Sequence, residues 1–167
     1  MTNATRILLS LMVLALTACG FHLRGSNLKG VEFAFKSLYL KAPGETPFVA
    51  ELRRTLTASK VALTTTSDQA ELVLEIVSEQ ATKQILSLSG SGRVREYQLF
   101  YRVSLRAYDS RQIDWLPAEE IALSRIMTYD DAQVYAKQQE EALLYKDMRT
   151  DAVAQAMRRL SRAKPQE

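Results

Sequence analysis

The stretch VREYQLFYRVSLRAY, residues 94–108, carries the clearest strand signal in the chain. Tyr97, Leu99, Tyr101, Val103, Leu105 and Ala107 fall on one face, and Gln98, Arg102, Ser104 and Arg106 on the other. Such alternation marks a strand with one buried and one wet face, because successive side chains leave a pleated backbone on opposite sides. A strand of that length needs neighbours. Before it, Ser87-Leu88-Ser89-Gly90-Ser91-Gly92 is small and flexible and suits the tip of a long hairpin. Before that tip, Leu72, Leu74 and Ile76 alternate with Val73, Glu75 and Val77, a strand beginning near Glu71. After residue 108, a second hairpin through Asp109-Ser110-Arg111 and the Pro117 region leads to a strand around Ile121, Leu123, Arg125 and Met127.

The flanks complete the pattern. Ser37-Leu38-Tyr39-Leu40-Lys41 alternates and is closed by Pro43 and Gly44. Thr46-Pro47 is a helix start, with Thr as N-cap and Pro at the first helical position. Val49, Leu52 and Leu56 give that helix an apolar stripe, and it should end near Ser59. The last helix, capped by Asp130 or Asp131, meets no Gly or Pro before Pro165. Leu144, Met148, Ala152, Ala156 and Leu160 step by four along its apolar face, flanked by Tyr145, Val153 and Met157. The expected order is β-α-β-β-β-α. It predicts an α+β two-layer sandwich, a four-stranded sheet with two helices on one face.

At 167 residues the chain makes one ordinary domain, and 47% hydrophobic with 25% charged residues is a globular balance, not a disordered one. MTNATR followed by the ten-residue apolar run ILLSLMVLAL reads as a signal peptide. As a helix that run spans about 15 Å, half of a ~30 Å hydrocarbon layer. Leu16-Thr17-Ala18-Cys19 matches the bacterial lipobox. The match implies diacylglycerol on the Cys19 sulfur, cleavage after Ala18, and acylation (palmitate) of the new amino group. More than one acyl chain gives stable anchoring. Gly20 replaces the Asp that commonly retains such lipoproteins in the inner membrane, so the outer membrane of a Gram-negative cell is expected. The domain reading is residues 1–18 as the removed signal peptide, 19–36 as a lipidated tether, 37–162 as a single α+β domain and 163–167 as a frayed tail.

Removing residues 1–18 takes away Arg6 alone, leaving 21 basic against 19 acidic residues. So small an excess gives no electrostatic case for nucleic acid as a partner. One cysteine and one histidine, Cys19 and His22, make a poor metal inventory, and no metal or cofactor is expected. An acylated Cys19 is no nucleophile, and there is no G-x-S-x-G, H-E-x-x-H or Walker loop. The pairs Glu119-Glu120, Asp130-Asp131 and Glu140-Glu141 are adjacent in sequence, poor geometry for acid–base work. No enzyme is expected, which leaves binding. Arg93 and Arg95 lie just past the hairpin tip, and Arg102 and Arg106 project from the wet strand face. They suit phosphate or carboxylate, or serve as ordinary charges on a solvated sheet.

Three collinear stretches resemble one family. Cys-Gly-Phe-His-Leu-Arg-Gly, residues 19–25, resembles the mature start of the LPS-assembly lipoprotein LptE family, typically C-G-[FW]-x-L-R. Arg95-Glu96-Tyr97-Gln98-Leu99 resembles the E-Y-x-[LM] segment opening the family's central strand. Lys137, Lys146-Asp147-Met148 and Arg159-Leu160 resemble its C-terminal helix. The resemblance implies two helices on a four-stranded sheet and no enzymatic activity. It also implies a place as plug in the large β-barrel protein LptD, help in that barrel's assembly, and lipopolysaccharide binding during insertion into the outer leaflet. Lys137 lies where the family has a basic residue associated with that binding. The family's second basic position falls at Gly90, so Arg93 or Arg95 would substitute. The alternative is a free-standing outer-membrane lipoprotein carrier or chaperone for acyl lipids, which would need a sizeable apolar cavity under the sheet. In the plug reading Lys137 is expected to be exposed on its helix.

Overall fold

A computed structural model of the chain describes residues 33–166. Its elements run β1 (Ser37–Lys41), α1 (Pro47–Ala58), β2 (Ala62–Leu63), β3 (Leu72–Leu88), β4 (Val94–Asp109), β5 (Asp114–Thr128) and α2 (Val134–Leu160), with 3-10 turns at Ser67–Gln69 and Asp131–Gln133. The sheet order is β2-β1-β3-β4-β5. β1 runs parallel to β2 and β3, and β3, β4 and β5 form an antiparallel meander.

The fold is α+β as expected, but the sheet has five strands, not four. The added strand, β2, is two residues long and held by backbone bonds from Ala62 N to Lys36 O (3.1 Å) and Thr64 N to Leu38 O (3.0 Å). Two residues carry no period, so nothing in the side chains announces it.

The first helix begins where its chemistry dictates. The Thr46 hydroxyl accepts from the Val49 amide at 3.2 Å and Pro47 occupies the first turn of α1, where its missing N–H costs no bond. Asp130, expected to cap the last helix, accepts from the Ala132 amide at 2.9 Å and caps the preceding 3-10 turn instead; α2 starts after Gln133, which makes no side-chain cap bond. Phe48, Val49, Leu52 and Leu56 of α1 and Met148, Ala152, Val153, Ala156, Met157 and Leu160 of α2 are buried. They form one core with Leu72, Leu74 and Ile76 of β3 and Leu99, Tyr101, Val103, Leu105 and Ala107 of β4. Each fully buried Leu, Phe or Met contributes about 1.5–3 kcal/mol. Phe35 and Ala163 are buried in the same core, and the Gln166 amide donates to the Asp114 carbonyl at 2.9 Å. The packed unit thus takes in residues on both sides of 37–162.

β1 pairs with β3 only from Leu72 to Glu75. Past that point β3 loses a neighbour and the sheet narrows to the three strands β3, β4 and β5. No residue of β3 after Ile76 is buried. Val77 stands in a bulge, because Ile76 pairs with Leu105 while Ser78 pairs with Ser104. One extra residue reverses the alternation and turns Glu79, opposite Val103, toward the helices.

The hairpin tip is tighter than expected: Ser87 and Leu88 belong to β3. The turn is closed by Ser89 N to Arg93 O (2.7 Å) and Gly92 N to Ser89 O (2.9 Å), with Gly92 at φ 81°. Pro117, expected in the second turn, lies inside β5 instead. β5 is an edge strand, and Leu105 pairs with Glu119 while Ala107 pairs with Leu116, so Pro117 occupies a bulge where no ladder bond is needed.

Candidate functional site

The ribbon end gathers the predicted basic residues. Arg93 and Arg95 are exposed beside the β3–β4 turn. The Arg95 carbonyl accepts from the Tyr129 amide at 2.8 Å, and Glu96 pairs with Thr128 at the end of β5. Lys137, in the first turn of α2, donates to the Thr128 hydroxyl (3.1 Å) and to Glu140 (2.8 Å). The fold therefore brings residues some forty positions apart to one end of the sheet. Lys137 is not the exposed group expected from the helix: its side chain is only 15% exposed, because it is folded back onto β5. Cys19 lies outside the described residues.

The same end presents apolar surface. Ile85, Leu86 and Leu88 at the end of β3 and Val134 and Tyr135 at the start of α2 are exposed, Tyr135 at 76%. None of the first ten residues of α2 is buried. Polar ties hold this overhang instead: Lys83 pairs with Glu141 at 2.7 Å and lies 4.8 Å from the Tyr97 ring centroid, and the Tyr145 hydroxyl donates to the Thr82 carbonyl at 2.9 Å. Tyr97 and Tyr129 meet edge to face at 5.1 Å. The Glu141 contact raises the pKa of Lys83, which keeps that pair charged.

Between the overhang and the core sits a polar junction that no sequence pattern indicated. Glu79, turned inward by the Val77 bulge, accepts from the Tyr101 phenol and from the Thr46 hydroxyl, each at 2.5 Å. Thr46 thus caps α1 and anchors it to β3. Glu51 of α1 accepts from Thr150 (2.8 Å) and Arg149 (3.3 Å) of α2. Burial, then the bond to Glu79, pushes the Tyr101 phenol well above its ordinary range. With both oxygens of Glu79 accepting from neutral hydroxyls, the arrangement clamps elements together and offers no nucleophile.

The sheet face away from the helices is wet. Glu75 bridges Lys41 (2.8 Å) and Arg106 (2.9 Å) across three strands. The Lys41 bond, with Arg106 beside it, outweighs burial and lowers the Glu75 pKa. Gln80, Arg102 and Ala122 form one cross-strand row of this face, and Gln84, Gln98 and Ile126 another. Among the described residues no cluster of His, Cys, Asp and Glu could hold a metal, and no helix is long and apolar enough to cross a membrane.

A family model described as LptE, lipopolysaccharide-assembly, matches residues 35–160. The chain belongs to the LptE family. It is 26% identical over 160 residues to the LPS-assembly lipoprotein LptE of Pectobacterium atrosepticum, covering 92% of this chain and 83% of that one. The fold is similar to the solution structure of a lipoprotein B from Nitrosomonas europaea, with TM-score 0.72 and 39% identity over 85% of this chain and 90% of that one. It is also similar to the crystal structure of a minor lipoprotein from Acinetobacter baumannii, with TM-score 0.66 and 25% identity over 81% and 99% of the two chains. The LptE family is one of lipoproteins of lipopolysaccharide assembly, and the meander with its overhanging ribbon is this member's version of the family fold.

Proposed function

We propose that this LptE-family chain works at the outer membrane as a lipid-anchored plug and assembly factor for an LptD-type β-barrel, and that it contacts lipopolysaccharide as that lipid is inserted into the outer leaflet. Family membership together with the ribbon end carries this reading. Arg93, Arg95 and Lys137 gather there beside exposed Ile85, Leu86 and Leu88. Lipopolysaccharide sets phosphates and carboxylates next to acyl chains, so a ligand of that kind meets guanidinium, ammonium and apolar side chains in one place. A barrel lumen is polar and water-filled. The uncovered sheet face, with its Lys41–Glu75–Arg106 bridge and its rows of Gln and Arg, suits such a lumen better than an apolar face would.

An acyl-lipid carrier would need an apolar cavity beneath the sheet. Among the described residues, the side chains between sheet and helices pack as one core. That packing speaks for the plug. Affinity purification of the chain from its own outer membrane is expected to bring down a barrel protein several times its size. A chain recovered alone, as a stable monomer, would refute the plug.

A further inference from the structure

At the end of the sheet opposite the ribbon tip, the last turn of α2 and the start of β5 enclose an open cleft of about 400 Å³. Trp115, Leu116 and Pro117 form one wall, and Arg158, Arg159 and Arg162 border the other. Arg159 is committed: it lies 3.0 Å from the Glu119 carboxylate and donates to the Glu120 carbonyl at 3.2 Å. Arg158 near the end of α2 and Arg162 just past it, both exposed, make no ion pair among the described residues. The Trp115 indole N–H is buried without an acceptor. An aromatic wall with two free guanidiniums is a receptor for an anionic group attached to something apolar.

The course of the chain says where such a group comes from. Phe35 meets Trp115 edge to face at 6.5 Å, and Phe33 lies 5.2 Å from Phe35, so the N-terminal segment enters the domain beside this cleft. Cys19 is fourteen residues before Phe33, a reach of about 50 Å at most. Whatever is attached to Cys19 is therefore joined to the domain by a chain that enters it at the arginine end. Tryptophan favours the headgroup level of a bilayer, and arginine pairs bidentately with phosphate.

We infer that the cleft between Trp115 and Arg158/Arg162 seats the phosphate of an anionic phospholipid in the leaflet that holds the anchor. The contact orients the domain with its ribbon end pointing away from that leaflet. This rests on the lipid anchor at Cys19 for its geometry, and on neither the barrel nor lipopolysaccharide.

The test uses the mature chain, residues 19–167 with Cys19→Ala, so that neither an acyl chain nor the apolar run of residues 7–16 contributes, floated at low salt with vesicles of phosphatidylcholine alone or mixed equally with phosphatidylglycerol. Binding is expected only to the mixed vesicles. Arg158→Gln with Arg162→Gln, two exposed positions, should weaken it about 30-fold, from roughly 1 kcal/mol per basic residue at a charged surface. Arg54→Gln with Lys146→Gln, the same charge change at two exposed positions away from the cleft, should leave it unaltered. Equal losses from the two pairs would mean a net-charge effect and overturn the inference, as would no vesicle binding at all. Titration with inorganic phosphate separates the remaining source: an arginine-dependent response to phosphate without vesicle binding would make the cleft a free-anion site and also overturn it.

Discussion

Replacing Tyr101 by Phe tests the polar junction on which the placement of α1 depends. Tyr101 is 4% exposed, and its phenol donates to a Glu79 carboxylate that also holds the Thr46 cap. The substitution removes one charge-assisted hydrogen bond and leaves the ring in place. Such a bond is worth about 1.5–3 kcal/mol, and because Glu79 keeps Thr46 and part of its hydration the expected loss is about 2 kcal/mol. For a domain of this size that lowers Tm by about 8 °C. Glu79→Ala should cost at least as much, since it strands a buried phenol, and combining the two should cost about 1.5 kcal/mol less than their sum. Urea and thermal unfolding of the four species measure the cycle. The pH dependence supplies a second signature. The Tyr101 pKa is raised in the fold, so its contribution is whole below the unfolded value near 10 and is lost as pH rises above it. Wild-type stability should therefore fall more steeply than that of Tyr101→Phe above about pH 10. A Tyr101→Phe loss under about 0.5 kcal/mol, or additive single losses, would refute the clamp.

Three further outcomes are expected. Lys137→Gln should weaken binding of purified lipopolysaccharide about tenfold with the melting curve little changed, and Arg93→Gln with Arg95→Gln should do the same; unchanged binding would move the contact elsewhere. Gln is preferred to Asp at 137 because an acid there would face Glu140. Cys19→Ala should abolish incorporation of labelled palmitate into the chain; a variant that is still labelled would undo the anchor. Glu75→Gln should flatten the acid limb of stability. A carboxylate with lowered pKa stabilises above its unfolded value of 4.5 and loses that contribution as pH falls, so wild type and variant should converge in acid. Parallel melting-temperature profiles from neutral pH to about pH 3 would show that the Lys41–Glu75–Arg106 bridge contributes nothing.

The positions of β4, α1 and the buried part of α2 were legible along the chain, for one reason. Where one face of an element is buried, side chains must repeat with the period of its backbone, so Leu99 to Ala107, Val49 to Leu56 and Met148 to Leu160 announce themselves. The cap at Thr46 was legible because capping is local chemistry, whereas Asp130 caps the 3-10 turn before α2 rather than α2 itself. The outer half of β3 was not, because residues 77–88 bury nothing and are held by backbone bonds that any side chain permits. For the same reason β2 left no trace, and the Val77 bulge, which sends Glu79 to the core side, broke the alternation that would have placed Glu79 in water. The charged residues Arg93, Arg95 and Lys137 could be picked out in the sequence. That Lys137 bends back onto Thr128 beside Arg95, and that Arg158 and Arg162 face Trp115 across a cleft, are properties of the sheet's register and of the direction α2 takes across it. Local periodicity determines which elements form. Only the long-range pairing of strands decides which side chains meet at their ends.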